Sequence, residues 1–277
     1  YYLCLVVNWK MPELSRQLRR LRKEFSMVGG LNKFKDYFSE YKEQYVLIGG
    51  AACDIVMEDF DSSFRVTKDL DIVLIVEALT PEFGRAFWKF VNDGKYRNKS
   101  ISTEHPHFYR FDKPEEPGFP YMLEIFSKSG FEINYHNANL IPLHFDDSVS
   151  SLSAILLNDA YYDILLGGRM EIDGVRVLAP EYIIPFKAKA WLDLCDKRDS
   201  GYPVDEKDIK KHKNDVARLT TILSEANVIQ LPKEVVLDMQ EFIREFEQVP
   251  VDIRALKIKG ITSQQIVNRL KKIYLRS

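Results

Sequence analysis

Residues 47–74 read LIGGAACDIVMEDFDSSFRVTKDLDIVL, and this stretch decides the fold. The short apolar run Tyr45–Ile48 predicts a strand that is closed by the glycine pair Gly49-Gly50. Ala51–Glu58 then has a helical pattern, and Asp69–Val76 predicts a second strand in which acidic residues alternate with apolar ones. A strand, a glycine turn, a helix and an acidic strand therefore follow in this order along the chain.

Asp69 and Asp71 lie two positions apart in the second of these strands. Because side chains alternate along a strand, both carboxylates project from the same face of the sheet. Two such carboxylates can bind two Mg²⁺ ions roughly 3.5 to 4 Å apart. The alternative is a solvent-facing strand end whose acids pair with Lys68 or Arg65, but Asp is unfavourable within a strand. We predict that Asp69 and Asp71 are catalytic metal ligands.

The glycine pair Gly49-Gly50 precedes a predicted helix. Glycines at a helix start let the backbone approach a triphosphate closely and direct unsatisfied N–H groups toward it. An ordinary strand-to-helix turn is the alternative, and the acidic pair downstream favours the nucleotide-binding interpretation. We predict that the amides of Gly49 and Gly50 bind the β and γ phosphates of a nucleoside triphosphate.

Glu124 lies in a later strand, Tyr121–Phe126, which follows the predicted strand Phe108–Phe111 and the turn-rich segment Asp112–Pro120. An acid between apolar neighbours needs a partner, and a metal ion would supply one. The alternative is an exposed residue on a half-solvated strand. We predict that Glu124 is the third metal ligand. We also predict that it lies beside the hydroxyl group of a second substrate that attacks the triphosphate, and that it accepts the proton of that hydroxyl.

Helical patterns cover much of the remaining chain. They occupy residues 12–26, 31–44, 81–92, 180–197, 206–226, 232–248 and 262–275, with Thr80 and either Thr262 or Ser263 as predicted caps. Ile155–Leu178 predicts an antiparallel meander with Asp173-Gly174 as a hairpin turn. We predict an α+β fold in three regions: an N-terminal helical segment at 1–44, a core with a mixed sheet flanked by helices at 45–140, and a C-terminal domain at 141–277, a β-meander followed mostly by helices.

Composition limits the classes of protein that fit. A chain of 277 residues with 45% hydrophobic content can fill a core, and its apolar runs are far shorter than the roughly 20 residues of a membrane span. Three widely spaced cysteines, Cys4, Cys53 and Cys195, argue against a disulfide framework. We expect a soluble cytoplasmic protein with no membrane partner. Residues 1–10 lack an initiator Met, and we suspect that they are not native.

Charge is distributed unevenly. The net charge is −2, but residues 251–277 contain seven Lys or Arg against the single acid Asp252. This segment fits an RNA backbone and fits a solvated helix face equally well. His105 and His107 flank a proline, and a polar loop explains them better than a metal site does. The glycine patterns of P-loop and dinucleotide-binding proteins do not occur in their required context.

The quoted stretch resembles the signature of the polymerase-beta-like nucleotidyltransferase superfamily, a glycine pair followed by a strand of alternating apolar residues and aspartates. It is most similar to the AbiEii/AbiGii toxin family, which has an Arg and a Ser or Thr just ahead of the acidic pair, as Arg65 and Thr67 stand here. The resemblance implies a nucleotidyltransferase-type sheet, with Arg65 and Thr67 in nucleotide binding. For Arg65, structural neutralisation of the acids stays open.

A second likeness lies in the C-terminal half. Residues 181–194, EYIIPFKAKAWLDL, resemble the family's helix with an essential lysine, which falls on Lys187. Residues 211–219, KHKNDVARL, resemble the following helix with an essential aspartate, which falls on Asp215, although the family often has a further Asp where this chain has His212.

Lys187 and Lys189 lie among apolar residues, and a buried lysine requires an anionic partner such as a triphosphate. Surface charge is the alternative for both lysines. Asp215 is a catalytic candidate that could instead pair with Lys211 or Arg218 along its helix.

Together these features favour a nucleotidyltransferase that uses two Mg²⁺ ions, moves a nucleoside monophosphate from an NTP to a hydroxyl acceptor and releases pyrophosphate. The resemblance implies an RNA acceptor, the tRNA 3′ end, and a toxin of a toxin–antitoxin or phage-defence system with a separate antitoxin protein. One alternative is transfer to a small molecule such as an aminoglycoside, which the near-neutral charge favours. Another is a nucleotide-binding regulatory module without transfer.

Overall fold

The computed structural model describes residues 29–275, apart from 61, 63, 66, 103–107, 129–140, 144–154, 157 and 227. The predicted helix at 12–26, the suspected non-native residues 1–10 and the pair His105 and His107 lie outside the described residues. The described residues form a mixed sheet flanked by helices and then a run of helices. The predicted α+β class with a mostly helical C-terminal half is confirmed.

The strands join into one mixed sheet. They are β1 Tyr45–Ile48, β2 Asp69–Leu74, β3 Asn98–Ser102, β4 Phe108–Asp112, β5 Met122–Ser127, β6 Ile141–Leu143, β7 Arg169–Ile172 and β8 Val175–Leu178. Their order across the eight-stranded sheet is β6-β3-β4-β5-β2-β1-β8-β7. β1 pairs antiparallel with β2, and β2 pairs parallel with β5. The acidic strand therefore lies between the strand that ends at the glycine turn and the strand that carries Glu124.

The helices cover the sheet and build the second half. They are α1 Leu31–Phe38, α2 Gly49–Asp59, α3 Pro81–Asp93, α4 Asp159–Gly167, α5 Pro180–Asp199, α6 Glu206–Thr220, α7 Lys233–Gln248 and α8 Ser263–Tyr274. Short 3₁₀ turns follow α1 at Ser39–Gln44 and β2 at Val76–Ala78. The predicted caps are confirmed: the Thr80 hydroxyl accepts a hydrogen bond from the Phe83 amide, and Thr262 forms a capping box with Gln265.

Burial fixes the register of β2. Leu70 and Ile72 are buried, whereas the alternating residues Asp69 and Asp71 are half-buried on the other face. Full burial of a Leu or Ile side chain stabilises the fold by about 1.5 to 3 kcal/mol. A slip of one residue would exchange the two faces and place both aspartates in the core. The hydrophobic pattern of β2 therefore holds the two carboxylates where chemistry can reach them.

Helix α5 joins the sheet to the helical half. It packs against α6 and α7, and α2 contacts both α5 and α6. α2 begins at the end of β1, so these contacts place side chains of α5 and α6 above the glycine turn. Among the described residues, no helix is long and apolar enough to cross a membrane.

The predicted meander across residues 155–178 is wrong in its first part. Asp159–Gly167 forms α4, and Asn158 caps it by accepting hydrogen bonds from the Ala160 and Tyr161 amides. The hairpin at Asp173-Gly174 is confirmed, with both residues at positive φ, 49° and 82°. β8 pairs in parallel with β1, so this hairpin extends the main sheet. The boundary at residue 140 stays a prediction.

Candidate active site

The glycine turn lies directly against Asp71. Gly49 adopts φ +65°, and a Cβ added to it would lie 1.7 Å from Oδ2 of Asp71. Only glycine fits, both for its left-handed backbone and for this close approach. The Gly50 amide then donates a hydrogen bond to the same oxygen of Asp71, at 3.2 Å. The start of α2 and the acidic strand are therefore fixed to one another.

Two predicted nucleotide-binding residues lie beside Gly50. A Cβ added to Gly50 would lie 3.1 Å from the Thr67 hydroxyl and 3.1 Å from Nη2 of Arg65. Thr67 is 7% exposed, so its hydroxyl is held close to the start of α2. The structure thus brings Gly49, Gly50, Arg65 and Thr67 together, as the resemblance implies. Whether they bind a nucleotide stays a prediction.

The three carboxylates lie on neighbouring strands. Asp71 and Glu124 are register partners across the parallel pair β2–β5, and Asp69 lies two residues earlier on the same face of β2. Glu124 is 7% exposed. Its partner in β4 is Arg110, whose Nε donates a hydrogen bond to Oε1 of Glu124 at 2.9 Å. The sheet therefore places the three predicted metal ligands on two adjacent strands, with a cation on the next strand.

The carboxylates repel one another. Burial, followed by the charge of Asp71, raises the pKa of Asp69. Burial and the charge of Asp71 also raise the pKa of Glu124 well above its usual range, against the opposing charge of Arg110. Arg110 offsets part of this repulsion at Glu124 through its charge and its hydrogen bond.

A divalent cation would relieve the repulsion between these carboxylates. Carboxylate oxygens are the ligands that Mg²⁺ prefers, and Asp69, Asp71 and Glu124 supply them from two adjacent strands. The donor set fits Mg²⁺ in its chemistry, but within the described part of the chain no three acidic, His or Cys side chains are placed closely enough to hold a metal ion as they stand. Metal binding stays a prediction.

Asp215 accepts hydrogen bonds from two cations. Lys187 Nζ donates to Oδ2 at 2.9 Å, and Arg65 donates through Nε and Nη2 to the two oxygens, each at 3.3 Å. Asp215 is 1% exposed and Lys187 is 6% exposed. Burial opposes the charged form of Asp215, but the charges of Lys187 and Arg65 outweigh it and lower its pKa. The three side chains form one buried charged cluster.

Lys189 is not part of this cluster. Its ammonium lies 3.3 Å from Asp193 and 3.4 Å from Asp238, which places it between α5 and α7. Two residues along a helix correspond to about 200°, so Lys187 and Lys189 point to different sides of α5. The predicted nucleotide contact of Lys189 is therefore corrected to an ion pair between helices.

A cavity connects these elements. Its polar part contains the glycine turn, two of the carboxylates and three basic side chains, and its other wall is apolar. It is lined by Ile48, Gly49, Gly50, Asp71, Glu124, Phe126, Leu178, Ile183, Phe186, Lys187, Ala190, Lys211 and His212. An apolar wall with a few convergent polar groups is typical of a small-ligand site.

Sequence reasoning missed three residues of the site: Arg110, Lys211 and His212. Arg110 could have been found, because it alternates with apolar residues in a strand beside the one that carries Glu124. Lys211 and His212 carried no such signal. They reach the cavity through the packing of α6 against α5 and α2, which joins distant parts of the chain.

The chain was compared with protein families, curated proteins and solved structures. No protein-family model matches the chain, and no curated protein matches it. The structure is similar to that of the Megavirus polyadenylate synthase, with a TM-score of 0.39 and 13% sequence identity, over 88% of this chain and 42% of that chain. The chain thus spans less than half the length of that viral protein.

Proposed function

We propose that the protein is a Mg²⁺-dependent nucleotidyltransferase. The observation that carries the proposal is the arrangement of Asp71 and Glu124 as register partners that face the Gly49-Gly50 turn in one cavity with Lys187. Asp69 lies on the same face of β2. Carboxylates, helix-start amides and cations in one cavity are the equipment of phosphoryl transfer, which needs positioning and charge neutralisation more than covalent catalysis.

Each group has a task in this reaction. Asp69, Asp71 and Glu124 would hold two Mg²⁺ ions, which supply charge neutralisation to the triphosphate. In the proposal the amides at the start of α2 bind the β and γ phosphates, and the Gly50 amide gives up its hydrogen bond to Asp71 to do so. Lys187 is the counter-charge, and Arg65 and Thr67 lie beside Gly50. The acceptor oxygen forms a bond to the α phosphorus as the bond to pyrophosphate breaks. Glu124, whose pKa is raised by burial and by Asp71, takes the acceptor proton.

Asp215 acts as a positioning residue in this proposal. It holds Lys187 and Arg65 by direct hydrogen bonds, and it lies behind them, buried, and is not among the residues that line the cavity. An ammonium that is already paired keeps its charge and its place before substrate enters. This preorganisation reduces the entropy lost when the triphosphate binds.

We propose RNA as the acceptor. A second groove, which also includes Arg65, has four basic side chains and no described acidic one. It is lined by Met57, Ser62, Phe64, Arg65, Arg218, Thr221, Leu256, Lys257, Ile258 and Lys259. A groove with this charge suits a phosphate backbone. The sequence resemblance alone suggests the tRNA 3′ end as the acceptor, a toxin role and an antitoxin partner. We include these three points in the proposal on that basis.

The test is transfer of label. Purified protein is incubated with Mg²⁺, total tRNA and each α-³²P-labelled NTP in turn, and the RNA is separated on a denaturing gel. We expect labelled RNA from the wild type and none from the double variant Asp69→Asn with Asp71→Asn. Asp36→Asn with Asp196→Asn is the matched control, because both residues are exposed on helices. Transfer that persists in the first variant would refute the mechanism, and a wild type that labels no RNA would refute the RNA acceptor.

A further inference from the structure

His212 lines the candidate active-site cavity without a role in the mechanism above. It lies on α6, one helical turn before Asp215. Lys187 and Lys211 line the same cavity and act on the imidazole electrostatically. His212 therefore shares one cavity with two lysines and with apolar side chains.

The imidazole has an unused hydrogen-bonding atom. Nδ1 of His212 is buried, and among the described residues it has no hydrogen-bond partner. Buried polar groups are nearly always hydrogen-bonded, and an unsatisfied one costs about 1 to 3 kcal/mol. The described residues that surround this cavity do not satisfy Nδ1. A ligand group that reaches Nδ1 from the cavity would satisfy it and would recover that free energy on binding.

The charge state of His212 limits what it can bind. Burial, followed by the charges of Lys187 and Lys211, lowers the pKa of the imidazole to about 3, although Asp215 opposes the shift. The imidazole is then neutral at physiological pH, with one nitrogen as donor and the other as acceptor. A phosphate group is better served by the two lysines. A neutral imidazole matches an uncharged group that both donates and accepts.

The apolar side chains that line the cavity also favour an uncharged ligand group. Phe126, Leu178, Ile183 and Phe186 line the cavity and offer no charge to a ligand. A sugar or a base fits against such a surface, because its faces are largely apolar and its hydroxyl or edge groups need only a few polar contacts. Lys187 and the glycine turn line the same cavity and suit the triphosphate.

We propose that His212 is a specificity residue whose neutral imidazole hydrogen-bonds to an uncharged donor–acceptor group of the bound nucleotide, either a ribose hydroxyl or the edge of the base. This inference rests on the proposed function, because it takes the ligand to be a nucleotide. It concerns recognition of the nucleotide and is independent of whether transfer to RNA follows.

The test is equilibrium binding rather than turnover. Filter binding of the four labelled NTPs is measured with Mg²⁺ for the wild type, His212→Ala and His212→Asn. We expect about 3- to 10-fold weaker binding of the preferred NTP by His212→Ala, the effect of one lost neutral hydrogen bond. His212→Asn should retain most of the affinity, because its amide also donates and accepts. Lys210→Ala, an exposed change on the same helix, is the control and should bind as the wild type does.

Nucleotide analogues identify the recognised group. If His212→Ala no longer distinguishes an NTP from its 2′-deoxy or 3′-deoxy form, the partner is a ribose hydroxyl. If it loses the preference among the four bases instead, the partner is the base edge. Equal affinity and selectivity of His212→Ala and wild type would overturn the inference, as would a wild type that binds no nucleotide. NTP binding that depends on His212 without any transfer would sink the proposed function alone. His212→Leu, which fills similar space and cannot hydrogen-bond, replaces the alanine variant if that variant does not fold.

Discussion

Lys187 and Asp215 form a buried ion pair, with Nζ 2.9 Å from Oδ2, and Arg65 binds the same carboxylate through both of its oxygens. The three residues come from α5, from α6 and from the segment before β2. One carboxylate therefore holds together the sheet and the two helices that enclose the cavity. This relationship predicts a strong energetic coupling between Lys187 and Asp215.

Removal of one partner should destabilise the protein strongly. Asp215→Leu leaves the buried Lys187 ammonium without its acceptor, and we expect the free energy of unfolding to fall by about 3 to 5 kcal/mol. The double variant Lys187→Met with Asp215→Leu should lose less than the sum of the single variants, because no ammonium is then left unpaired. Urea denaturation of the four proteins measures this coupling.

Lys189→Met supplies the control for the ion pair. Lys189 lies two residues along α5, and its side chain is 31% exposed, so water replaces its lost partners. We expect a loss of about 1 kcal/mol or less. Additive effects in the double variant, or a cost for Lys189→Met equal to that for Lys187→Met, would contradict the buried coupling.

The parts of the site that depend on local periodicity could be predicted from the sequence. Alternation along β2 correctly gives the shared face of Asp69 and Asp71, and the apolar neighbours of Glu124 correctly place it within a strand. The contact of Arg65 with Asp215 spans 150 positions, and no local pattern reports it. Lys189 could have been separated from Lys187 by the helical repeat alone, because residues two apart on a helix do not share a face.

The wrong meander has a physical cause. α4 is buried on several sides, through Tyr161, Tyr162, Ile164 and Leu165, so its apolar residues do not follow the helical repeat of a surface helix. A short apolar run of this kind does not distinguish a buried helix from a strand. Asn158 is the one local signal, because its side chain caps the helix.

Gly49→Ala should disable the site. The new Cβ would face two penalties: a left-handed backbone at φ +65° and a clash at 1.7 Å with the Asp71 carboxylate. Gly118→Ala is the matched control, because Gly118 has φ +81° and nothing lies within 4 Å of its added Cβ. We expect Gly118→Ala to cost about 1 to 2 kcal/mol of unfolding free energy through backbone strain alone, with activity unchanged.

The difference between the two glycine variants isolates the effect on Asp71. Gly49→Ala should cost more stability than Gly118→Ala, and it should also abolish label transfer by displacing the carboxylate. Urea denaturation and the transfer assay, run in parallel, measure both quantities. Equal stability losses and full activity in Gly49→Ala would show that the turn and Asp71 are not coupled.

Asp54 predicts a pH-dependent instability. This residue of α2 is 2% exposed, and its Oδ2 has no hydrogen-bond partner among the described residues. Burial, followed by the charge of Glu58, raises its pKa from 3.8 to about 6. A raised pKa means that the folded state holds the proton more tightly. The stabilising contribution of protonated Asp54 is therefore full below pH 3.8 and is lost as the pH rises through about 6.

Asp54→Asn removes that dependence. At pH 7.5 we expect the variant to be more stable than the wild type by about 2 to 3 kcal/mol, because the neutral amide avoids the buried charge. At pH 3.5 the two proteins should differ little. Urea denaturation at both pH values measures the change, and a variant that is less stable than the wild type at pH 7.5 would indicate that the charge has a partner.

The basic groove predicts a change in the salt dependence of RNA binding. Lys257 and Lys259 are exposed residues of the groove. If each contacts one phosphate, Lys257→Gln with Lys259→Gln should reduce the slope of log affinity against log salt by about 1 to 2. Lys271→Gln with Lys272→Gln is the control, because these lysines pair with Glu247 and Glu225 on another face of the helical half. Fluorescence anisotropy of a labelled tRNA across a KCl series measures both slopes. Equal decreases of the slope in the two variants would mean that RNA binding depends on the net charge of the protein and not on this groove.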